Sequence, residues 1–234
     1  MGDRVLVIGG TRGTGLLTAH LLLERGHTVR VLARDPAEAA LRLNPAIELI
    51  AGDITRPDTL GPAVQGADAI VFTAGVHSGR IARESLVRAT DYQGVLNTLV
   101  AARETGFGGL FLYMNSIGVT TPSPAARLLN FLKRNTLIWR RRAEEKIRAS
   151  GLDYTIIRVG FLMKGPSGQR TVEVSQGALP LAPRHRIARA DVAEAFAAAM
   201  QHPRASRATF EIVWGKGQVG EDWDARLSRL QPDG

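Results

Sequence analysis

The sequence contains no cysteine, which excludes disulfide bonds, zinc sites built on thiolates and a cysteine nucleophile. It also lacks any uninterrupted apolar run near the ~20 residues that a membrane-spanning helix requires, so no membrane partner is expected. The N-terminus passes from Met1 directly into a strand-like run and shows no signal-peptide cleavage pattern. By default, these absences indicate a cytoplasmic protein.

Lysine is scarce as well: the chain has 4 lysines against 26 arginines, and its formal net charge is +8. Such an excess fits a site for a phosphate-bearing small molecule, a nucleic-acid partner or simply a GC-rich genome. The basic segment 127–148 offers chiefly Trp139 for stacking on bases, which favours a solvated helix face over a nucleic-acid surface. No His, Asp or Glu group has metal-ligand spacing and no Gly-x-Ser-x-Gly motif occurs, so we expect neither a metal nor a serine hydrolase.

The 234 residues suit a single domain, because no repeat, low-complexity stretch or linker divides the chain. Over the first two thirds, short apolar runs alternate with longer amphipathic segments, which is typical of parallel βαβ units. The apolar runs are continuous, as strands covered on both faces of a sheet require. The pattern therefore predicts an α/β fold with a Rossmann-type, doubly wound parallel sheet.

Particular segments are predicted as strands or helices. The predicted strands are 4–8, 27–33, 47–51, 69–73, 109–114, 153–159, 170–174 and 209–214. The predicted helices are 15–25, 59–64, 85–104, 137–149 and 190–201. Residues 1–234 would form one domain, in which residues 160–234 contribute most of a small C-terminal substrate-binding lobe.

A glycine-rich turn joins the first predicted strand to the first predicted helix. Gly9 would permit the tight turn, Gly13 would let backbone amides approach a pyrophosphate, and Gly15 would let helix and strand pack closely. The phosphates would then lie at a helix N-terminus, where free N–H groups and the helix dipole favour an anion. The predicted cofactor-binding residues of this turn are Gly9, Thr11, Arg12, Gly13, Thr14 and Gly15.

The end of the second predicted strand indicates which dinucleotide is bound. An NAD site commonly has Asp or Glu there to bind the ribose 2′-hydroxyl, but this strand ends in Arg34, with Asp35 one residue later. Arg34 and Arg12 could bind a 2′-phosphate from two sides, which favours NADP(H). Asp35 keeps NAD(H) as the alternative, and both arginines could instead be solvated surface residues.

Two further stretches fit the same cofactor. Asp53, followed by Ile54 after the third strand, could accept a hydrogen bond from the adenine amine or could cap a turn. The small residues Thr73, Ala74 and Gly75 after the fourth strand would let the backbone pass close to a ribose. These five residues are predicted to bind the cofactor.

In these residues the sequence resembles the atypical short-chain dehydrogenase/reductases, in the NAD(P)-binding, NmrA-like group. The resemblance covers about residues 3–214 and includes the glycine turn, Arg34, 52–53, 73–75, 115–116, 150–158 (SGLDYTIIR) and 187–193 (IARADVA). It implies a Rossmann fold and an NAD(P) cofactor, with Gly160 and Phe161 flanking the nicotinamide. Flavin- and biliverdin-reductase-like members are the most similar, through Ser116 and 171–196.

One departure from the family pattern concerns the proton donor. Members that reduce carbonyls usually carry Tyr-x-x-x-Lys on the helix after the fifth strand, where the ammonium lowers the pKa of the phenol. Counted back from the 150–152 landmark, these positions fall near Thr136 and Arg140. Neither side chain performs acid–base chemistry at neutral pH, although Arg140 could point inward and bind an anionic substrate or a cofactor phosphate.

Other polar residues follow the strand ends where ligands bind in such sheets. Ser116 would form a hydrogen bond to the substrate or the nicotinamide amide, with Asn115 as a weaker companion, unless it is only a turn residue. His77, after the fourth strand, is a titrating group that could reach the pocket or could face solvent. The predicted catalytic residues are Ser116, Arg140, Thr136 and His77.

Together these features predict an NADP(H)-dependent oxidoreductase that passes a hydride to or from a flavin-, quinone- or carbonyl-like small molecule. Such an acceptor can take its proton from water, so it tolerates a missing tyrosine. A non-catalytic NADP-binding sensor or regulator is the first alternative, and an epimerase or dehydratase is the second. The protein is expected to be a monomer or a homodimer.

Overall fold

A central sheet of eight strands organises the computed structural model, which describes residues 2–76, 83–216 and 222–234. The strands are β1 (Arg4–Ile8), β2 (Thr28–Ala33), β3 (Glu48–Ala51), β4 (Ala69–Phe72), β5 (Leu110–Ser116), β6 (Asp153–Val159), β7 (Phe161–Met163), β8 (Val172–Ser175), β9 (Arg186–Ala188) and β10 (Ala208–Trp214). The sheet order is β3-β2-β1-β4-β5-β6-β10-β8, and β8 pairs antiparallel at its edge. β7 and β9 pair in parallel as a separate small sheet.

Helices connect the strands. They are α1 (Gly13–Glu24), α2 (Pro36–Ala40), α3 (Gly61–Val64), α4 (Glu84–Arg88), α5 (Gly94–Glu104), α6 (Pro124–Leu132), α7 (Thr136–Arg148), α8 (Arg189–Gln201) and α9 (Trp223–Leu227). A π-helical turn (Ala89–Gln93) joins α4 to α5, and short 3₁₀ helices span Pro57–Thr59 and Pro203–Ala205.

Both faces of the sheet are covered, as the continuous apolar strands predict. In β1, Val5 and Val7 pack into an apolar cluster with α1 and α8, whereas Leu6 and Ile8 pack into a second cluster with α3, α5 and α7. These four side chains are buried, whereas Arg4 at the start of β1 is exposed. The parallel order 3-2-1-4-5-6 confirms the predicted Rossmann-type fold.

The fold places a crevice beside β1. Ile8, at the carboxyl end of β1, is in register with Leu32 of β2 on one side and Phe72 of β4 on the other. The chain direction of the crossovers reverses here, and ligands of doubly wound sheets bind at such a switch point. The glycine turn after β1 and residues 73–75 after β4 therefore meet at the expected ligand edge.

Several predicted elements differ from those observed. The helix predicted over 85–104 is divided by the π-helical turn, and α1 begins at Gly13 rather than at Gly15. The strand predicted at 170–174 is observed as β8, which begins two residues later and ends one residue later. It pairs antiparallel with β10. Helix α6 was not predicted, although Ser123 caps it by accepting a hydrogen bond from the N–H of Ala126 at 3.1 Å.

Residues 160–234 contribute to the main core as well as to the small sheet. β10 pairs with β6 inside the main sheet, and α8 packs with α1 on one of its faces. The small sheet of β7 and β9, with the segments around it, is the part of 160–234 that stands apart from the main sheet. A strand of three residues is too short for a periodic pattern to indicate.

Candidate cofactor and substrate site

The glycine turn is packed against the end of β4. Gly9 has a φ of +87°, and a Cβ added to it would lie 2.6 Å from the backbone nitrogen of Ala74. A Cβ on Gly15 would overlap the carbonyl oxygen of Gly9 and Oγ1 of Thr73. Thr73 itself donates a hydrogen bond from Oγ1 to the carbonyl of Ile8 at 3.0 Å. These contacts fix the position of the glycine turn beside the switch point.

The partial positive charge at the N-terminus of α1 is not balanced by a capping or acidic side chain of the helix. Its N-cap, Arg12, forms no side-chain cap, and the first turn contains no acidic residue. Thr14 is 4% exposed, and its Oγ1 has no hydrogen-bond partner among the described residues. Free N–H groups, the positive end of the helix dipole and an unpaired buried hydroxyl together suit a phosphate group. The turn therefore fits the pyrophosphate of a dinucleotide.

Arg189, the first residue of α8, also lies near this turn. Its Nε lies 3.8 Å from the position of a Cβ on Gly13, which has a φ of +58°. Its Nη1 donates to the carbonyl of Leu162 at 3.3 Å, and no carboxylate in the described ranges forms an ion pair with it. In the sequence, Arg189 forms part of the family motif 187–193, for which no binding role is predicted.

The surroundings of Arg34 differ from those of its neighbour Asp35. Asp35 is the N-cap of α2, and its Oδ1 accepts a hydrogen bond from the N–H of Glu38 at 2.9 Å. Arg34 and Arg12 are exposed, and neither is ion-paired with another described residue. The acidic side chain is therefore engaged in capping, while both guanidinium groups remain accessible.

The third strand ends in a turn that Asp53 stabilises. Its Oδ1 accepts from both the N–H and the hydroxyl of Thr55, each at 2.8 Å. Ile54 packs its side chain against Gly94 at the start of α5, and its carbonyl accepts from Asn97 at 2.8 Å. The cap that the sequence left open for Asp53 is thus present, and adenine binding by Asp53 and Ile54 stays a prediction.

A buried carboxylate connects the predicted catalytic positions. Asp91 lies on the π-helical turn and is 2% exposed. Its Oδ2 accepts a hydrogen bond from Thr136 Oγ1 at 2.6 Å and lies 3.4 Å from Nε of Arg140. Its Oδ1 accepts from the N–H of Val76 at 3.2 Å. Sequence reasoning placed Thr136 and Arg140 on one helix face but missed Asp91.

Arg140 lies between the ends of β4 and β5. Its Nη1 donates to the carbonyl of Met114 at 3.1 Å, and its Nη2 lies against Gly75. Burial disfavours the charged form, but the carboxylate of Asp91 outweighs it and raises the pKa of Arg140 above its ordinary value. Burial also raises the pKa of the neighbouring Tyr113 above its ordinary value, so this phenol keeps its proton at neutral pH.

Ser116 and Asn115, at the end of β5, have different surroundings. Ser116 is half-buried, and its Oγ donates to the carbonyl of Ile117 at 3.0 Å. Asn115 is buried; its Nδ2 donates to Oε2 of Glu144 at 2.5 Å, and its Oδ1 accepts from the N–H of Ser116. The amide of Asn115 thus supports the strand end from inside, whereas Ser116 remains the residue of the pair with solvent access.

The remaining predicted residues lie around the small sheet or outside the described part of the chain. A Cβ on Gly160 would lie 2.5 Å from the carbonyl oxygen of His185, so this position joins β6 to the small sheet at close range. Phe161 follows it and is partly exposed. His77 lies outside the described residues. Contact of Gly160 and Phe161 with a nicotinamide stays a prediction.

Within residues 2–76, 83–216 and 222–234, no helix is both long and apolar enough to cross a bilayer. No group of three or more His, Asp or Glu side chains in the same ranges could hold a metal ion.

Comparison with known proteins identifies the family of this chain. The model of the NAD(P)H-binding family matches residues 9–203. Sanguinarine reductase from Eschscholzia californica is 30% identical, over 97% of this chain and 95% of that protein. These matches agree with a glycine turn built for a dinucleotide and with the resemblance seen in the sequence.

Solved structures show the same architecture. A putative NAD-dependent epimerase/dehydratase from Bacillus halodurans has a TM-score of 0.81 and 25% identity, covering 98% of this chain and all of that one. ChuY, an anaerobillin reductase from Escherichia coli O157:H7, has a TM-score of 0.75 and 20% identity, covering 93% and 100% of the two chains. The chain belongs to the NAD(P)H-binding family and has the Rossmann fold of the atypical short-chain dehydrogenase/reductases.

Proposed function

We propose that the protein is an NADP(H)-dependent reductase that transfers a hydride to a conjugated small molecule of the flavin, quinone or carbonyl class. The observation that carries the proposal is the position of the Arg140 guanidinium against Gly75, at the same sheet edge as the open N-terminus of α1. A helix N-terminus suited to a phosphate and the positive charge of Arg140 thus lie at one crevice. Two relatives are reductases by name, which supports the direction of the reaction.

The cofactor would be held by groups with different tasks. The N–H groups at Gly13 and Thr14 and the orphaned Thr14 hydroxyl would bind the pyrophosphate, with Arg189 closing over it. Arg12 and Arg34 would bind the 2′-phosphate that distinguishes NADP(H) from NAD(H). The engagement of Asp35 in capping α2 supports this preference, because its carboxylate is turned to the helix.

Arg140 is the residue of this chain that we assign to the chemical step. When bound, a dihydronicotinamide supplies the hydride, that is, two electrons and a hydrogen nucleus. The addition of a hydride leaves a negative charge on the acceptor, and the remaining N–H donors of Arg140 would stabilise that charge. Arg140 stays protonated, so the proton that completes the reduction would come from water. Ser116 would orient the acceptor by a hydrogen bond.

By the family resemblance, Thr136 lies near the position where carbonyl-reducing members carry a tyrosine. Its hydroxyl donates to Asp91 at 2.6 Å, so it has no proton to offer a substrate without breaking that bond. Thr136 and Arg140 would therefore not act as an acid–base pair. Instead, Arg140 would supply a positive charge that the buried carboxylate of Asp91 holds in place. This arrangement favours acceptors whose reduced form is a stabilised anion.

The same engagement of Thr136 favours a second candidate function, an NADP(H)-binding sensor without turnover. In that case, Arg140 and Asp91 would transmit cofactor binding to the segment after β4 through the bond from Val76 to Asp91. Binding of NADPH without its oxidation by any acceptor would support this function.

The cofactor preference can be tested by calorimetric titration of NADPH and NADH. Arg34→Ala should weaken NADPH binding by roughly tenfold or more and leave NADH binding unchanged, since a charge-assisted bond contributes about 1.5–3 kcal/mol. Arg56→Ala is the matched control, because Arg56 is an exposed arginine that pairs with the exposed Asp58. Equal losses for both dinucleotides would contradict binding of the 2′-phosphate by Arg34.

Turnover is tested by NADPH oxidation with flavin mononucleotide, a naphthoquinone and biliverdin as acceptors. We expect at least one acceptor to be reduced with one NADPH consumed per two-electron product. Arg140→Met should lower kcat by about 10²-fold or more, the magnitude found when a charge-stabilising donor is removed. Tight NADPH binding with no oxidation by the whole panel would replace the reductase proposal by the sensor.

A further inference from the structure

Helix α6 carries an apolar stripe that faces solvent. Leu128, Phe131 and Leu132 are 58%, 74% and 54% exposed. Their spacing of three and four residues places them on one helix face. The adjoining face packs on the protein, because Ala126 is buried and Leu129 packs against the cluster around Ile117. The helix is therefore anchored by one apolar face and presents another to the outside.

The charges within the segment that carries this stripe have one sign, and Glu84 of α4 is an acidic neighbour, which accepts hydrogen bonds from Asn135 and Trp139. Residues 124–143 contain no Asp or Glu, but they contain six basic residues: Arg127, Lys133, Arg134, Arg140, Arg141 and Arg142. Arg127 and Arg134 are exposed and form no ion pair with another described residue. Arg142 lies over the ring of Trp139, 4.8 Å from its centroid. An apolar stripe bordered by accessible guanidinium groups differs from an ordinary solvated helix face.

We propose that this face of α6, with its bordering arginines, docks on the surface of an anionic lipid bilayer. Leu128, Phe131 and Leu132 would enter the interface between headgroups and acyl chains, and Arg127 and Arg134 would bind lipid phosphates. Interfacial helices of this kind combine apolar burial with attraction to anionic lipids, worth ~1 kcal/mol for each basic residue near the surface. The contact is peripheral and requires no membrane-spanning segment.

Charge complementarity selects the bilayer over a second copy of the chain. In a two-fold symmetric dimer through α6, the same patch would face itself, so Arg127 and Arg134 would meet arginines with no acidic residue from 124–143 between them. Like charges juxtaposed in this way oppose association, whereas a layer of lipid phosphates neutralises them. An anionic bilayer offers an apolar interior to the stripe and negative charge to the arginines that border it.

The docking face also adjoins the candidate site. Ser123, which caps α6, donates to the carbonyl of Leu181 at 3.0 Å, and the chain continues from α6 through Asn135 directly to Thr136. The docking itself does not depend on the proposed reductase function.

Sedimentation with vesicles tests the proposal. The protein should bind vesicles of phosphatidylcholine mixed with phosphatidylglycerol, and binding should weaken as salt is added, because screening shortens the reach of the charges. Phe131→Glu should weaken partitioning by at least tenfold. Leu41→Glu is the matched control and should bind like the wild type. Leu41 is also highly exposed, at 85%, but it lies at the end of α2 and not on α6.

A second variant tests the charged border. Arg127→Ala with Arg134→Ala should weaken binding by about 30-fold, the effect of two lost contacts of ~1 kcal/mol each, and should reduce the salt dependence. Equal binding to pure phosphatidylcholine, or wild-type binding by Phe131→Glu, would overturn the proposal. A dimer seen by light scattering that Phe131→Glu dissociates would also overturn it, by assigning the face to a second copy. Matching circular dichroism melts show that the variants are folded.

Discussion

At the scale of single residues, Gly15 is required by space rather than by backbone conformation. Its absent side chain lets α1 approach the carbonyl of Gly9 and the hydroxyl of Thr73. Gly61, at the start of α3, has no described atom within 4 Å of an added Cβ. The two glycines therefore form a matched pair, of which one is needed for close packing and the other is not.

Gly15→Ala should weaken NADPH binding by at least tenfold and lower the free energy of unfolding by about 1–3 kcal/mol, because overpacking displaces the turn. Gly61→Ala should leave binding unchanged and should not destabilise the fold, since alanine lowers the entropy of the unfolded chain. Titration with NADPH and urea unfolding of both variants measure these effects. Wild-type binding by Gly15→Ala would show that the turn does not need this close approach.

Arg189 is proposed to bind the pyrophosphate that both dinucleotides share. Arg189→Gln should weaken NADPH and NADH binding equally, by roughly tenfold, because both dinucleotides carry the pyrophosphate that Arg189 would bind. This pattern differs from that expected for Arg34→Ala, which affects NADPH only. Arg186→Gln is the control, since Arg186 is exposed and donates to the carbonyl of Pro183. Unchanged affinity for both dinucleotides would remove Arg189 from the site.

At the scale of elements, the π-helical turn between α4 and α5 determines where Asp91 points. The sequence pattern predicts one continuous helix over 85–104, because a π turn has no periodic signature of its own. The wider turn presents Asp91 to Thr136 and Arg140 of α7, and such turns are frequent at functional sites. The carboxylate thus connects two helical segments below the sheet edge and positions the guanidinium.

Asp91→Asn should lower both stability and turnover, because it leaves the Arg140 charge buried without its counter-charge, at a cost of roughly 3–5 kcal/mol. The double variant Asp91→Asn/Arg140→Met should recover part of that stability, since it removes the uncompensated charge, but it should not recover kcat. Urea unfolding and steady-state kinetics separate the two effects. Full activity in the stable double variant would show that the pair is only structural.

At the scale of the whole molecule, Asp233 ties the end of the chain to the core. Its Oδ2 accepts from Arg148 Nε at 3.1 Å, from the hydroxyl of Tyr154 at 3.0 Å and from that of Thr209 at 2.6 Å. These groups belong to α7, β6 and β10. Burial alone would raise the pKa of Asp233, but the hydrogen bonds outweigh it and hold that pKa below its ordinary value.

This shift makes stability depend on pH in a defined direction. The ionised carboxylate stabilises the fold above about pH 4, the pKa of an unfolded aspartate, and the contribution is lost as pH falls through the lower folded pKa. Asp233→Asn should therefore cost about 1–3 kcal/mol at neutral pH, and the difference from wild type should shrink in acid. Asp58→Asn, in an exposed ion pair, should cost less than about 0.5 kcal/mol. Urea unfolding at several pH values measures both, and a pH-independent difference would contradict the assignment.

The local features of this chain were predictable, and its long-range contacts were not. The glycine turn, the parallel strands and the shared helix face of Thr136 and Arg140 follow from residues within a few positions of one another. Helix α6, which is nine residues long, was missed although Ser123 and Pro124 form a normal helix start. The antiparallel direction of β8 depends on its partner, β10, which lies more than 30 residues further along the chain.

By itself, the sequence determined the doubly wound fold and a dinucleotide turn after the first strand, because continuous apolar runs and glycine spacing are local properties. Only the tertiary structure decided that Asp91 lies beneath Arg140 and that Arg189 lies over Gly13. Residues 91 and 140 meet only after their helices pack on the sheet, and residues 13 and 189 meet only where α1 and α8 share a face. Such contacts depend on how the elements pack, which no spacing along the chain records.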